Sequence, residues 1–174
     1  MIKQLFSSLA LAAILALSVC FSTNANGQAR TSTKTQVISL EALGLFQSGN
    51  IITVQYEWKA SPTNSWHIRG RFSDYSNTYT GFGLGGGYHL YIADSRALTG
   101  LNVAPVAEVW FYNSSELNSS STVFGVGGEI AYKWIFDQFS VEPGVGVMIG
   151  FGGDDITYYT KTRVYAQCNL GYAF

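Results

Sequence analysis

From Ile38 to Phe174 the chain alternates, residue by residue, between one apolar face and one charged face. In Ile51–Ala60 the residues Ile52, Val54, Tyr56, Trp58 and Ala60 take one side, and Thr53, Gln55, Glu57 and Lys59 take the other. The pattern returns in Trp66–Asp74, Gly81–Ala93, Leu101–Tyr112, Val123–Trp134, Phe139–Gly152 and Arg163–Phe174. Side chains of a strand repeat every two residues, so each segment reads as an amphipathic strand. Collected over all of them, the apolar faces hold one charge, Asp74, where a strand runs into a loop. A sheet protein in water tolerates scattered lysines and glutamates on its outer face. A face this free of charge, backed by glutamates and arginines, fits a closed barrel whose solvent is lipid.

The leading residues agree with export. Lys3 supplies a positive start, Leu5 to Phe21 an apolar run, and Ser22 to Gly27 a small and polar stretch. Cleavage spacings exist at Ala25–Gly27 and Gly27–Ala29, so residues 1–29 read as a secretory signal peptide and 30–174 as one barrel domain. An uncleaved anchor is the alternative, but the run is shorter than the roughly 20 residues a helical span prefers. Cys20 in Leu17-Ser18-Val19-Cys20 fits a lipoprotein site poorly because of Val19. Removing the leader leaves Cys168 as the lone cysteine, without a disulfide partner.

With a net charge of −1, nothing points to nucleic acid or to bulk attraction by anionic lipid. Charged residues make up 12% against 15% aromatic, with 19 glycines, a balance that suits a small membrane barrel. Eight strands fit between the connections Gln47–Asn50, Ser61–Ser65, Tyr75–Thr80, Asp94–Ala97, Asn113–Ser121, Ile135–Gln138 and Asp154–Thr162. With the amino terminus in the periplasm, the first, third, fifth and seventh face outside. Three of those four are the longer ones. Two aromatic belts follow from the same register: Phe46, Phe72, Phe82, Phe111, Phe124 and Phe151 near the outer ends, and Trp58, Trp66, Trp134, Phe139, Tyr172 and Phe174 near the inner ends.

The terminal run Val164, Ala166, Cys168, Leu170, Tyr172, Phe174 places an apolar or aromatic residue at every second position and ends on Phe. In this, and in its eight strands, the chain resembles the small eight-stranded outer-membrane barrels of the OmpX and OmpA-barrel type. The resemblance implies that Leu170, Tyr172 and Phe174 form a membrane-insertion signal read by the barrel assembly machinery of a Gram-negative cell. It spans residues 37–174 as a pattern, and it carries no particular function across. Pro105 and Pro143 fall inside strands and lack the amide a closed ladder uses, so a bulge is expected at each.

Any chemistry must be sought on the inner face. It gathers Glu41, Glu57, Glu108, Glu129 and Glu142 against Lys59, Arg69, Arg71, Lys133 and Arg163, five of each sign. Folding about Pro62–Asn64 sets Glu57 opposite Arg69 and Lys59 opposite His67. Folding about Asn77–Thr78 sets Arg69 and Arg71 opposite glycines of the run Gly81, Gly83, Gly85, Gly87, past which they reach Glu108. Lys133 meets Glu142 across the sixth connection. An eight-stranded barrel has room inside for side chains only, so the expectation is an ion-pair network that plugs the lumen, with a gated pore as the alternative. The glycines precede no helix and form no nucleotide fingerprint. His67 and His89 fall close together on adjacent strands. They read as hydrogen-bonded lumen residues or, more sharply, as a metal or proton-sensing pair. We expect no metal and no cofactor.

Two function classes remain, with a third fold reading beside them. The first is a monomeric, non-enzymatic outer-membrane protein, either an envelope component or a scaffold whose outer loops (Asn113–Ser121 and the Tyr158-Tyr159 loop) meet other molecules; lipid and lipopolysaccharide are its surroundings. The second is a lipid A-modifying enzyme, which needs a nucleophile and a base near the outer rim. Both histidines point inward at the other end, and no Ser-His-carboxylate grouping faces out. A secreted barrel of lipocalin type is the third reading, and it would require the apolar face inside.

Overall fold

The computed structural model describes residues 34–46, 51–75, 79–92, 96–114, 119–152 and 162–174. The leader expected over 1–29 lies outside them, as do the centre of the Ser/Asn-rich connection and the Tyr158-Tyr159 loop. The barrel unit is Lys34–Phe174. It contains β1 (Gln36–Glu41), a short 3-10 turn (Leu43–Phe46), β2 (Ile52–Lys59), β3 (Asn64–Tyr75), β4 (Tyr79–Tyr91), β5 (Gly100–Ser114), β6 (Ser119–Phe136), β7 (Phe139–Phe151) and β8 (Arg163–Ala173). Each strand pairs antiparallel with its neighbours in sequence, and β1 closes on β8, so the sheet has no free edge. The fold is the expected closed eight-stranded barrel.

Register fixes its shape. Paired residues lead once round the wall from Ala173 through Val37, Glu57, His67, Gly87, Val106, Gly127 and Met148 to Arg163, ten residues back along β8. A stagger of that size tilts the strands by about 35–45° and leaves an interior only wide enough for side chains.

Alternation then sorts the residues. Outward positions carry Ile68 (55% exposed), Leu84 (51%) and Val145 (50%), while inward positions carry Glu57 and Lys133 (both 1%) and Arg69 (3%). Asp74 is the lone charge on the outward positions of the described strands. This is the reverse of a lipocalin-type interior. Phe72, Phe82, Phe111, Phe124 and Phe151 all face out at one end, and Trp66, Phe139, Tyr172 and Phe174 at the other. Trp134 departs from the expected belt: packed at a tilt against Tyr132 with ring centroids 4.5 Å apart, it is only 9% exposed.

Three further expectations are corrected. The first strand stops at Glu41 instead of running on to Phe46, because both oxygens of the Glu41 carboxylate accept the Gly44 N–H at 3.0 Å and curl the chain into the 3-10 turn. Neither proline makes a bulge. Pairing of β4 with β5 lapses between Gly87↔Val106 and Leu90↔Val103, and pairing of β6 with β7 between Ala131↔Gly144 and Trp134↔Val141, yet each ladder resumes in its former register. Each proline keeps its partner on the other side, Pro105↔Gly128 and Pro143↔Cys168, so the missing N–H goes with a local lapse of two residue pairs and no shift. Finally, the Ala60 and Ser61 amides bond to the Asn64 carbonyl, and this tight turn slides β2 against β3. The observed pairs are Glu57↔His67, Gln55↔Arg69 and Lys59↔Ser65, two residues from the expected ones.

Candidate functional site: an ion-paired lumen

The charged face of every strand turns inward, so its side chains meet along the barrel axis. Nearer the end that carries the Ser61–Asn64 and Asp137–Gln138 turns, Glu57 is a hub. Its carboxylate receives the Lys133 ammonium, the Ser65 hydroxyl, the Tyr91 hydroxyl at 2.8 Å and His89 Nδ1 at 2.9 Å. Lys133 also reaches Glu142 at 3.3 Å, and Glu142 accepts from the amides of Asn102 (3.2 Å) and Asn169 (3.4 Å). One ammonium thus sits between two carboxylates on different strands.

Toward the other end a second cluster forms round Arg69. It bonds Glu129 at 2.6 Å and forms an ion pair with Glu108 at 3.4 Å. Glu129 further accepts the Tyr165 hydroxyl and the Gln167 amide at 3.1 Å. Glu108 accepts Trp110 Nε1 at 3.0 Å and Arg71 at 3.3 Å, with Arg163 at 3.9 Å. The Arg71 and Arg163 guanidinium groups lie 5.6 and 5.7 Å from the Trp110 ring centre, within cation–π range.

Glycines make this possible. Arg71 pairs across from Gly83 and Arg69 from Gly85. A Cβ on Gly85 would stand 2.6 Å from Glu108 Cγ, and one on Gly83 2.9 Å from the Trp110 ring. Side chains on β4 would therefore occupy the space through which β3 and β5 join hands. His67 links the two clusters, since its Nε2 accepts from Arg69 at 3.1 Å and its ring lies 4.5 Å from that of His89.

All twelve predicted lumen residues are accounted for. Glu57, His67, Arg69, Arg71, His89, Glu108, Glu129, Lys133 and Glu142 come together in the two clusters. Glu41 sits at the rim against the Gly44 amide, and Arg163 at the mouth with 39% of its side chain exposed. Lys59 is the exception: as the last residue of β2 it is exposed, and no ion pair joins it among the described residues. The expected five-to-five balance is corrected accordingly. One cation has left the lumen, and backbone N–H serves Glu41 in its stead.

Two groups bring metal-ligating atoms within 4.8 Å of one another, His67 with His89 and Glu129, and Glu57 with His89 and Glu142. In the first, Arg69 Nη2 already touches His67 Nε2 and Glu129. In the second, Lys133 touches both carboxylates. The donor set of each group fits the side-chain cation it holds.

Comparison with protein-family models and with curated proteins gives no match. Among solved structures, the chain is similar to one described as "De novo design of transmembrane beta-barrels", with 11% identity and a TM-score of 0.39, over 83% of this chain and 98% of that one.

Sequence reasoning passed over the neutral members of the network. Tyr165, Gln167 and Asn169 share the parity of Arg163 on β8, and Tyr91 and Asn102 share that of His89 and Glu108. Alternation alone would have placed them inside. Of the run expected to serve as an insertion signal, Leu170, Tyr172 and Phe174 are exposed on the outside, and Leu170 and Tyr172 line a shallow apolar groove of about 380 Å³ on the seam between β1 and β8.

Proposed function

We propose that this chain is a monomeric, non-enzymatic barrel of the bacterial outer membrane, built as an envelope component and as a scaffold for its outer connections. One observation carries the reading: the outward positions of all eight strands hold a single charge, Asp74, while the ionic side chains pair along the axis. Lipid is the solvent that such an exterior suits, and in hydrocarbon a sheet satisfies its backbone amides only when it is closed. The end with short turns then faces the periplasm, and the end with long connections faces lipopolysaccharide. Residues 1–29 act as the export signal, and the outward row Leu170, Tyr172, Phe174 is what the assembly machinery reads.

A lipid A-modifying activity finds little support, because His67 and His89 are both sealed in the lumen and committed to Arg69 and Glu57. Fractionation of producing cells tests the location: the chain should stay in outer-membrane fragments after alkaline extraction and migrate differently in electrophoresis before and after boiling. Recovery in the soluble periplasm would refute it. Lipid A mass spectra from cells with and without the gene should be identical, and a changed acyl pattern would restore the enzyme reading.

A further inference from the structure

The turn between β4 and β5 does more than connect them. Arg96–Thr99 folds as a tight turn, closed by the Thr99 N–H to the Arg96 carbonyl at 2.9 Å. Leu98 in it has φ of 73°, the left-handed region where glycine is at ease and a leucine is strained. Yet Leu98 has no exposed surface. It packs against Val37 of β1, Ala173 of β8 and Ile135 of β6, the inward residues at the short-turn end. In the closed strand order β4 and β5 lie diametrically opposite β8 and β1. The side chain therefore crosses the mouth of the barrel. The Ala97 N–H, bound to the Pro62 carbonyl at 2.8 Å, moors the turn to the neighbouring hairpin.

We propose that Arg96–Thr99 is a stopper, with Leu98 as its plug, that closes this mouth and keeps water from the Glu57–Lys133–Glu142 cluster beneath. A backbone conformation that disfavours leucine is held by contacts that only a large apolar side chain supplies, which is the signature of strain kept for a purpose. The wall of the barrel does not depend on it, since none of the strand pairs that close the sheet involves Arg96–Thr99. Shortening Leu98 therefore opens the mouth while the sheet stays closed.

Thiol labelling of the folded full-length protein in detergent micelles tests this, independently of where the protein resides in a cell. Ala173→Cys places a thiol under Leu98, in a background with Cys168→Ser and Cys20→Ser, and Gln138→Cys on the exposed turn provides the open reference. A charged, water-soluble maleimide should label position 173 at least tenfold more slowly than position 138. Leu98→Gly, which removes the plug and relieves the backbone, should bring the two rates within about twofold. Leu98→Ala gives the same readout should the glycine variant not fold. Equal rates at 173 and 138 with Leu98 in place, or a slow rate at 173 unaltered by shortening Leu98, would overturn the proposal.

Discussion

Lys133 has no exposed surface to speak of and two carboxylates to neutralise. Removing its charge leaves Glu57 and Glu142 close together and buried without their shared cation, and uncompensated buried charge costs about 3–5 kcal/mol. Lys133→Met should lower the free energy of unfolding by that amount, read by urea titration in micelles. The triple variant Lys133→Met, Glu57→Gln, Glu142→Gln should recover most of the loss, because neutral amides still accept and donate hydrogen bonds. Gly85 offers the converse case. Gly85→Val sets branched carbon where Glu108 Cγ already lies, and overpacking of this kind costs about 1–3 kcal/mol. At Leu98 two terms oppose: a left-handed backbone costs about 1–2 kcal/mol, and burying the side chain returns about 1.5–3 kcal/mol. Burial wins, which is why leucine stands where turn chemistry alone would choose glycine. Such positions are the hard ones to read from sequence. The inward parity of Glu57, Arg69 and Glu108 was plain, but nothing local marked Leu98, whose place is set by a contact across the barrel.

Among the elements, the strands were legible because each face is chemically uniform over a dozen residues. Tyr79–Tyr91 differs from its expected limits by two residues at each end for that reason. Register was less so. The β2–β3 pairing rests on which of Ala60, Ser61 and Pro62 forms the corner, and alternation is unchanged by a slip of two residues. Only the backbone bonds to Asn64 decide it. The β1 boundary escaped for a related reason, since Glu41 reads as a strand residue until its carboxylate turns back to the Gly44 amide. The prolines were given bulges because a bulge is the common remedy for a missing donor. Here the ladder simply skips. The Pro105 carbonyl lies 2.7 Å from where a Gly87 Cβ would stand, so the absent N–H also faces β4. Pro105→Ala should therefore keep the register, with the Pro105↔Gly128 contact intact in inter-strand nuclear Overhauser effects, and change stability by no more than about 1 kcal/mol.

Taken whole, the molecule is a sheet rolled with its grease outside. What sequence supplied was two faces of opposite character; which one looks inward was inferred from the absence of charge on one of them, and the structure places that face outside. The central claim is that this exterior meets acyl chains. A charge placed on it should be costly in proportion to depth: Leu84→Arg should destabilise the barrel in bilayers by about 2–4 kcal/mol, far more than the same change at the exposed Gln138. The most direct measurement is a nitroxide scan along β4, residues 80–91, in the barrel reconstituted into phospholipid vesicles. Collision rates with oxygen and with a water-soluble nickel complex are read at each position. Phe82, Leu84 and Leu90 should be open to oxygen and closed to nickel, with a period of two and the greatest contrast near the middle of the strand. Nickel collisions at Leu84 as frequent as those at Gln138 would show that water, not lipid, bathes the outer face, and the account would fail.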